Sequence, residues 1–183
     1  MIIASRKRKE NIAEYLLYMW QIEDIIRANN LDSDRIKENL IDKMTDLDDG
    51  QRKEMVEWYE SLIDMMRREG VVEHGHLQIN TNMMMQLVEL HKALLADPKY
   101  GEYSSLFYQT LPYIVDLRSR AGEAAEPEIQ TCFTALYGML MLRLQGKEIS
   151  TETADAIKQI SRFVATLAAY FHKNESEPLF TKD

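Results

Sequence analysis

The stretch "NIAEYLLYMWQIEDIIRAN", Asn11 to Asn29, decides the fold. Ile12, Tyr15, Leu16, Met19, Ile22 and Ile26 recur every three or four residues. On a helix that spacing makes one apolar face. Leu17, Tyr18, Trp20 and Ile25 then carry apolar surface most of the way round. A helix of that kind belongs in the middle of a bundle. It is expected to run from about Arg8 to Asn29, where "NNLDSD" breaks it. Leu17, Tyr18 and Ile25 form a second strip that must be covered, either by another helix of this chain or by a dimer partner.

Six further helices follow from periodicity and punctuation. Asp32 or Ser33 caps a short one that ends near Met44. "DLDDGQ" precedes a third, about Asp48 to Glu69, which stops at Gly70. After "VVEHGHLQINTN" a fourth runs from about Thr81 to Ala96, with Asn80 as its cap. "DPKYGEY" leads into a fifth, to about Arg120. Pro112 lies inside it, and a proline there removes one helical hydrogen bond, so a kink is expected near Tyr108–Leu111. "AGEAAEPE" reads as a linker, and Pro127 suits the first turn of a sixth helix ending at Gly146. Ser150 caps a seventh helix, with Thr153 three residues on, that reaches about His172.

These elements predict an all-α protein: an up-and-down helical bundle of six to seven helices, helix one central and neighbours antiparallel because connections are short. One domain is expected over 1–173, with 174–183 a mobile tail. A chain of 183 residues, 45% apolar and 28% charged, is long enough to bury a sizeable core.

The net charge of −8 disfavours general nucleic-acid binding, which relies on cations to displace counterions from phosphates. "RKRK" at Arg6–Lys9 is the exception, readable as a phosphate or lipid contact or, more simply, as a solvated helix start. Cys132 is the one cysteine, so no internal disulfide is possible and nothing demands an oxidising compartment. The basic N-terminus is followed by "ENIAE" rather than an apolar run, and the most apolar stretches fall short of a membrane span. No membrane insertion is expected, and the expected location is the cytoplasm.

Four polar residues interrupt the apolar faces. Glu23 lies between Met19 and Ile26, and His91 among Met84, Leu87, Val88 and Leu95. Arg118 continues the Phe107, Leu111, Ile114 stripe, and Arg143 continues the Phe133, Leu136, Leu140 stripe. Burying any of them ionised and alone would cost several kcal/mol, so each needs a partner. A Glu23 contact with Arg143 or Arg118 would supply one. Two readings follow. The set is a structural network fixing helix register, or it lines a polar pocket in which Glu23 and His91 are acid/base candidates and the arginines anchor an anion.

Other features carry less chemistry. His74 and His76 form an H-x-H pair in what reads as a loop, and Glu73 and Glu89 could add oxygens. No H-E-x-x-H spacing accompanies them, so no metal site is expected. No glycine-rich phosphate loop, G-x-S-x-G elbow or C-x-x-C occurs, so no cofactor is expected. Cys132 lies on an apolar face and reads as an inert core thiol. The eleven Met, including "MMM" at Met83–Met85, read as core filling or as an adaptable groove.

"KENIAEYLLYMWQIEDIIRA", "GHLQIN" and "PEIQTCFTALYGMLMLRLQGKEIS" resemble a family of short, uncharacterised proteins from Bacteroidetes bacteria, catalogued as a domain of unknown function. The resemblance covers nearly the whole chain. It implies a single all-helical domain and brings no activity, cofactor or catalytic residue. The leading expectation is a non-enzymatic cytoplasmic helical protein acting through a protein partner or as a homodimer. The alternative is a small-molecule binder or enzyme using Glu23, His91, Arg118 and Arg143.

Overall fold

The computed structural model describes residues 2–121 and 126–180. The expected linker falls partly on 122–125 and the expected tail partly on 181–183, both outside the described residues.

The expected first helix is two. α1, Ile2–Glu10, and α2, Ile12–Ala28, meet at Asn11, whose backbone is extended (φ −157°, ψ 107°). Its side-chain oxygen accepts from the backbone N–H groups of Ala13 and Glu14 at 3.0 and 3.2 Å. The short Asn amide thus ends one helix and caps the next, a contribution of about 1 kcal/mol. His172 Nε2, from the far end of the chain, accepts the Ile12 N–H at 3.0 Å. That fixes the His172 proton on Nδ1, which lies 3.4 Å from Glu175. Half of "RKRK" is also spent internally: Lys7 meets Glu14 at 2.8 Å, and Arg8 grips Glu175 through two hydrogen bonds of 2.6 and 3.1 Å.

Local signals set the other boundaries. Asp32 caps α3, Ser33–Asn39, and a single 3-10 turn, Ile41–Lys43, replaces the rest of the expected second helix. Asp48 and Gln51 form a reciprocal capping box at the start of α4, Asp49–Glu69. Gly70 ends α4 at φ 72°, a left-handed conformation that costs glycine nothing. α5 spans Gln78–Ala96, three residues longer at its start than expected, and Asn80 lies inside its first turn rather than capping it. A 3-10 turn, Pro98–Tyr100, leads into α6, Gly101–Ala121, which is continuous through Pro112. α7 is Glu128–Leu144, and α8, capped by Ser150, runs Thr151–Ser176, past the expected end at His172. Phe180 sets its ring 5.6 Å from that of Tyr100.

The result is an all-α helical bundle, without a strand among the described residues. α2 is central, in contact with α1, α5, α7 and α8. Ile12, Leu16 and Ile26 are fully buried, as are Phe133 from α7 and Phe163 and Leu167 from α8. At about 25 cal/mol per Å² of apolar surface, this shared core is the main stabilising term. α4 packs on α3 and the turn after it, burying Tyr59, Leu62, Ile63 and Met66. Leu17, Tyr18 and Ile25 are half-buried against the core. Tyr18 lies in a cleft between Ile3 of α1 and Gln51, Glu54 and Met55 of α4, so the chain itself covers part of the second apolar strip. No helix among the described residues is long and apolar enough to cross a membrane.

Candidate functional site

Trp20, Glu23, Asp24 and Arg27 follow one another at i, i+3, i+4 and i+7, so α2 presents all four on one side. The connection between α4 and α5, residues 71–77, lies across them. Glu23 is fully buried. One carboxylate oxygen accepts from the Leu77 backbone N–H at 3.0 Å and from Asn80 Nδ2 at 2.7 Å, and the other lies 2.6 Å from His76 Nδ1. An ionised carboxylate only accepts, so it draws the His76 proton to Nδ1. The His76 ring stacks on Trp20 with centroids 4.2 Å apart and planes 11° from parallel.

Arg27 completes the clasp. Its guanidinium donates to Asp24 at 2.9 Å, to the Val71 carbonyl at 3.2 Å and to the Gly75 carbonyl. Gly75 sits at φ 85°, where a side chain would strain the turn that aims this carbonyl. Asp24 also accepts from the Tyr137 hydroxyl of α7 at 2.5 Å. Burial, reinforced by Asp24, holds the Tyr137 phenol above its usual range. One helix face thereby ties α2 to the 71–77 connection, to α5 and to α7.

His91 is built differently. It is 4% exposed, and its Nδ1 lies 2.7 Å from the Tyr103 hydroxyl. The rings of Phe107 and Phe163 meet it edge-on at centroid distances of 4.7 and 5.8 Å. Burial lowers its pKa from 6.5 to about 4, opposed by Glu128, so the ring is neutral at pH 7. Burial likewise raises the Tyr103 phenol and pushes the Cys132 thiol up to about 12, which leaves almost no thiolate.

The two arginines take separate places. Arg118 donates to Thr131 at 3.2 Å, to Glu128 at 3.4 Å and to the Glu126 carbonyl, pinning the end of α6 to the start of α7. Arg143 is exposed. It was expected to continue the apolar stripe of α7; along that stripe Phe133 is fully buried, Leu136 and Leu140 are half-buried, and Leu144, in the last turn beside Arg143, is 63% exposed. Among the described residues no hydrogen bond or ion pair joins any two of Glu23, His91, Arg118 and Arg143. Glu23 instead meets His76, expected in a loop, and Asn80, expected as a helix cap. Glu23, Asp24 and Arg27, three polar residues beside Trp20 on one side of an otherwise apolar helix, carry the signal for this site. Among the described residues no group of three or more His, Cys, Asp or Glu could hold a metal ion.

A family model described as a domain of unknown function (DUF4924) matches residues 1–178. The chain belongs to this family. No curated protein and no solved structure matches it. The matched span includes both buried centres and the eight α-helices of the described residues.

The outer side of α6 is distinct from both centres. "YSSLFYQTLPYIV", Tyr103 to Val115, carries no charged residue. Tyr103, Phe107, Thr110 and Ile114 point into the core, while Tyr108 is 63% and Val115 54% exposed, with Ser105, Gln109, Pro112 and Tyr113 also at the surface. Tyr108 and Val115 are seven residues apart and so lie on one side. Pro112 has no N–H, which deprives the Tyr108 carbonyl of its helical donor. An uncharged, tyrosine-bearing helix side with a spare acceptor has the composition of a contact surface.

Proposed function

We propose that this chain is a non-enzymatic, cytoplasmic helical protein that acts through protein–protein contacts, and that the outer side of α6 is the contact surface. The observation that carries this reading is thirteen residues without a charge on a helix whose outer side is exposed, in a chain where 28% of residues are charged. Desolvating such a surface costs little, and its tyrosines offer large contact area for little lost rotamer freedom. The acid/base candidates favour the same reading. Glu23 has its hydrogen bonds met within the chain, and His91 is enclosed by aromatic rings. The buried thiol of Cys132 suits a reducing compartment.

Photo-crosslinking in cells tests this, with a photoreactive residue placed at position 108 or 115 and, as control, at exposed position 158 on α8. Protein crosslinks at 108 and 115 and not at 158 are expected. Their absence from both α6 positions would overturn the reading.

A further inference from the structure

We propose that the cleft between α1, α2 and α4 binds a small amphipathic primary amine, with its apolar body against Ile3, Tyr18 and Met55 and its ammonium group between Asp46 and Glu54. The site is separate from the contact surface above, since no residue of α6 lines it.

Size and lining argue for a small molecule. The cavity holds about 260 Å³, just under the low end of ordinary ligand pockets at about 300 Å³. That is room for a single ring or a short chain, whereas a partner helix would need a groove long enough for anchors at i, i+3, i+4 and i+7. The apolar walls come from separate parts of the chain: Ile3 of α1, Tyr18 of α2, Leu47 just before α4 and Met55 within it. Ile3 is exposed and the other three are half-buried, so apolar surface is left for a ligand to cover. Met55 is unbranched and adapts its shape to what packs against it. Burial raises the Tyr18 phenol above its usual range, so the ring stays neutral, and a neutral tyrosine ring attracts a cation.

Charge selects an amine. Asp46 and Glu54 are the charged side chains of the lining, and neither has a hydrogen bond or ion pair among the described residues. The nearest cations of α4 are engaged elsewhere. Arg52 donates to the Ile41 carbonyl at 2.7 Å and to the Met44 carbonyl, and Lys53 lies 3.8 Å from Glu57. The positive end of α4 is met by Asp48, which caps it, and by Asp49 in its first turn, so it calls for no further anion. The Gln51 side-chain oxygen accepts from the Asp48 N–H at 3.0 Å, which leaves the two carboxylates to receive the ligand. A primary ammonium carries three N–H donors and serves both, whereas a quaternary one has none to give. The carboxylates are exposed, so the charged end of the ligand stays at the rim while its body covers the walls.

The test is titration of the full chain with phenethylamine, followed by the NMR signals of the Ile3 and Met55 methyl groups. Saturable shifts with a dissociation constant of about 1 mM or tighter are expected, the range open to so few atoms. Phenethyl alcohol and hydrocinnamate, of similar shape without the positive charge, should bind about tenfold more weakly or worse. The double variant Asp46→Asn, Glu54→Gln should weaken amine binding by about tenfold or more and leave the circular dichroism unchanged. Glu57→Gln, one turn further along α4, should bind as wild type does. Absence of shifts at about 20 mM amine, equal binding of amine, alcohol and acid, or amine binding indifferent to the double variant would each overturn the proposal. Tighter binding of N-acetyl-lysinamide than of phenethylamine would point to a lysine of a partner protein and overturn the small molecule.

Discussion

Glu23 and His91 both interrupt an apolar helix face, yet the molecule handles them in opposite ways. Glu23 is surrounded by donors from three directions and ties α2 to segments more than fifty residues away. His91 has one polar neighbour, twelve residues along the chain, and is otherwise enclosed by aromatic rings. One site tolerates a polar group by solvating it with protein, the other by keeping it uncharged. A carboxylate needs several donors to replace its water, whereas a neutral imidazole needs one. Glu23 is therefore a joint of the fold and His91 a local repair within the core.

The largest expected effect follows from that difference. Glu23→Ala leaves the Leu77 N–H, Asn80 Nδ2 and His76 without their acceptor and should cost about 3–5 kcal/mol. Glu23→Gln keeps one oxygen for Leu77 and Asn80 and should cost about 1–2 kcal/mol. Urea unfolding measures both, and hydrogen exchange at the Leu77 amide should become fast in the alanine variant alone. Equal losses from the two substitutions would reduce Glu23 to a packing residue.

The His91 centre predicts a pH dependence instead. Its pKa is depressed on folding, so the unfolded chain takes up the proton first. The stabilisation is complete above about pH 6.5 and is lost as pH falls from 6.5 through about 4. A shift of that size corresponds to about 3 kcal/mol over the whole window. Between pH 6.5 and 5, wild type should lose about 2 kcal/mol more than His91→Phe, a range above most carboxylate titration. Parallel curves for the two proteins would contradict a neutral buried ring. At pH 7 His91→Phe and Tyr103→Phe should each cost about 1–2 kcal/mol, and the double variant less than their sum, because each single change strands the other's polar atom.

What could be read from the sequence divides along the same line. Caps at Asp32, Asp48 and Ser150 and the stop at Gly70 depend on a few neighbouring residues, and they stand where local chemistry puts them. The inward direction of Glu23 and His91 also follows from helical periodicity. Their partners do not. Whether His76 stacks on Trp20 depends on how the 71–77 connection crosses α2, and no periodicity describes a loop. Asn11 is a residue type that caps helices, yet no glycine or proline in "RKRKENIAEYLL" breaks the chain there, so the sequence predicts one continuous helix. The split came from a polar side chain competing locally for the backbone, reinforced by His172 from the other end of the chain.

Arg143 supplies the smallest prediction and the sharpest control. The wheel places it near Leu136, but it sits in the last turn of α7, where both it and Leu144 are exposed. Arg143→Ala should therefore change stability by no more than about 0.5 kcal/mol, as an exposed surface substitution does. Arg118→Ala removes three donors from the α6–α7 junction and should cost about 1–2 kcal/mol, moderated because its side chain is 24% exposed. Two arginines that looked equivalent on helical wheels thus separate by position along the helix axis. A loss above about 1 kcal/mol for Arg143→Ala in dilute solution would mean that something covers the end of α7.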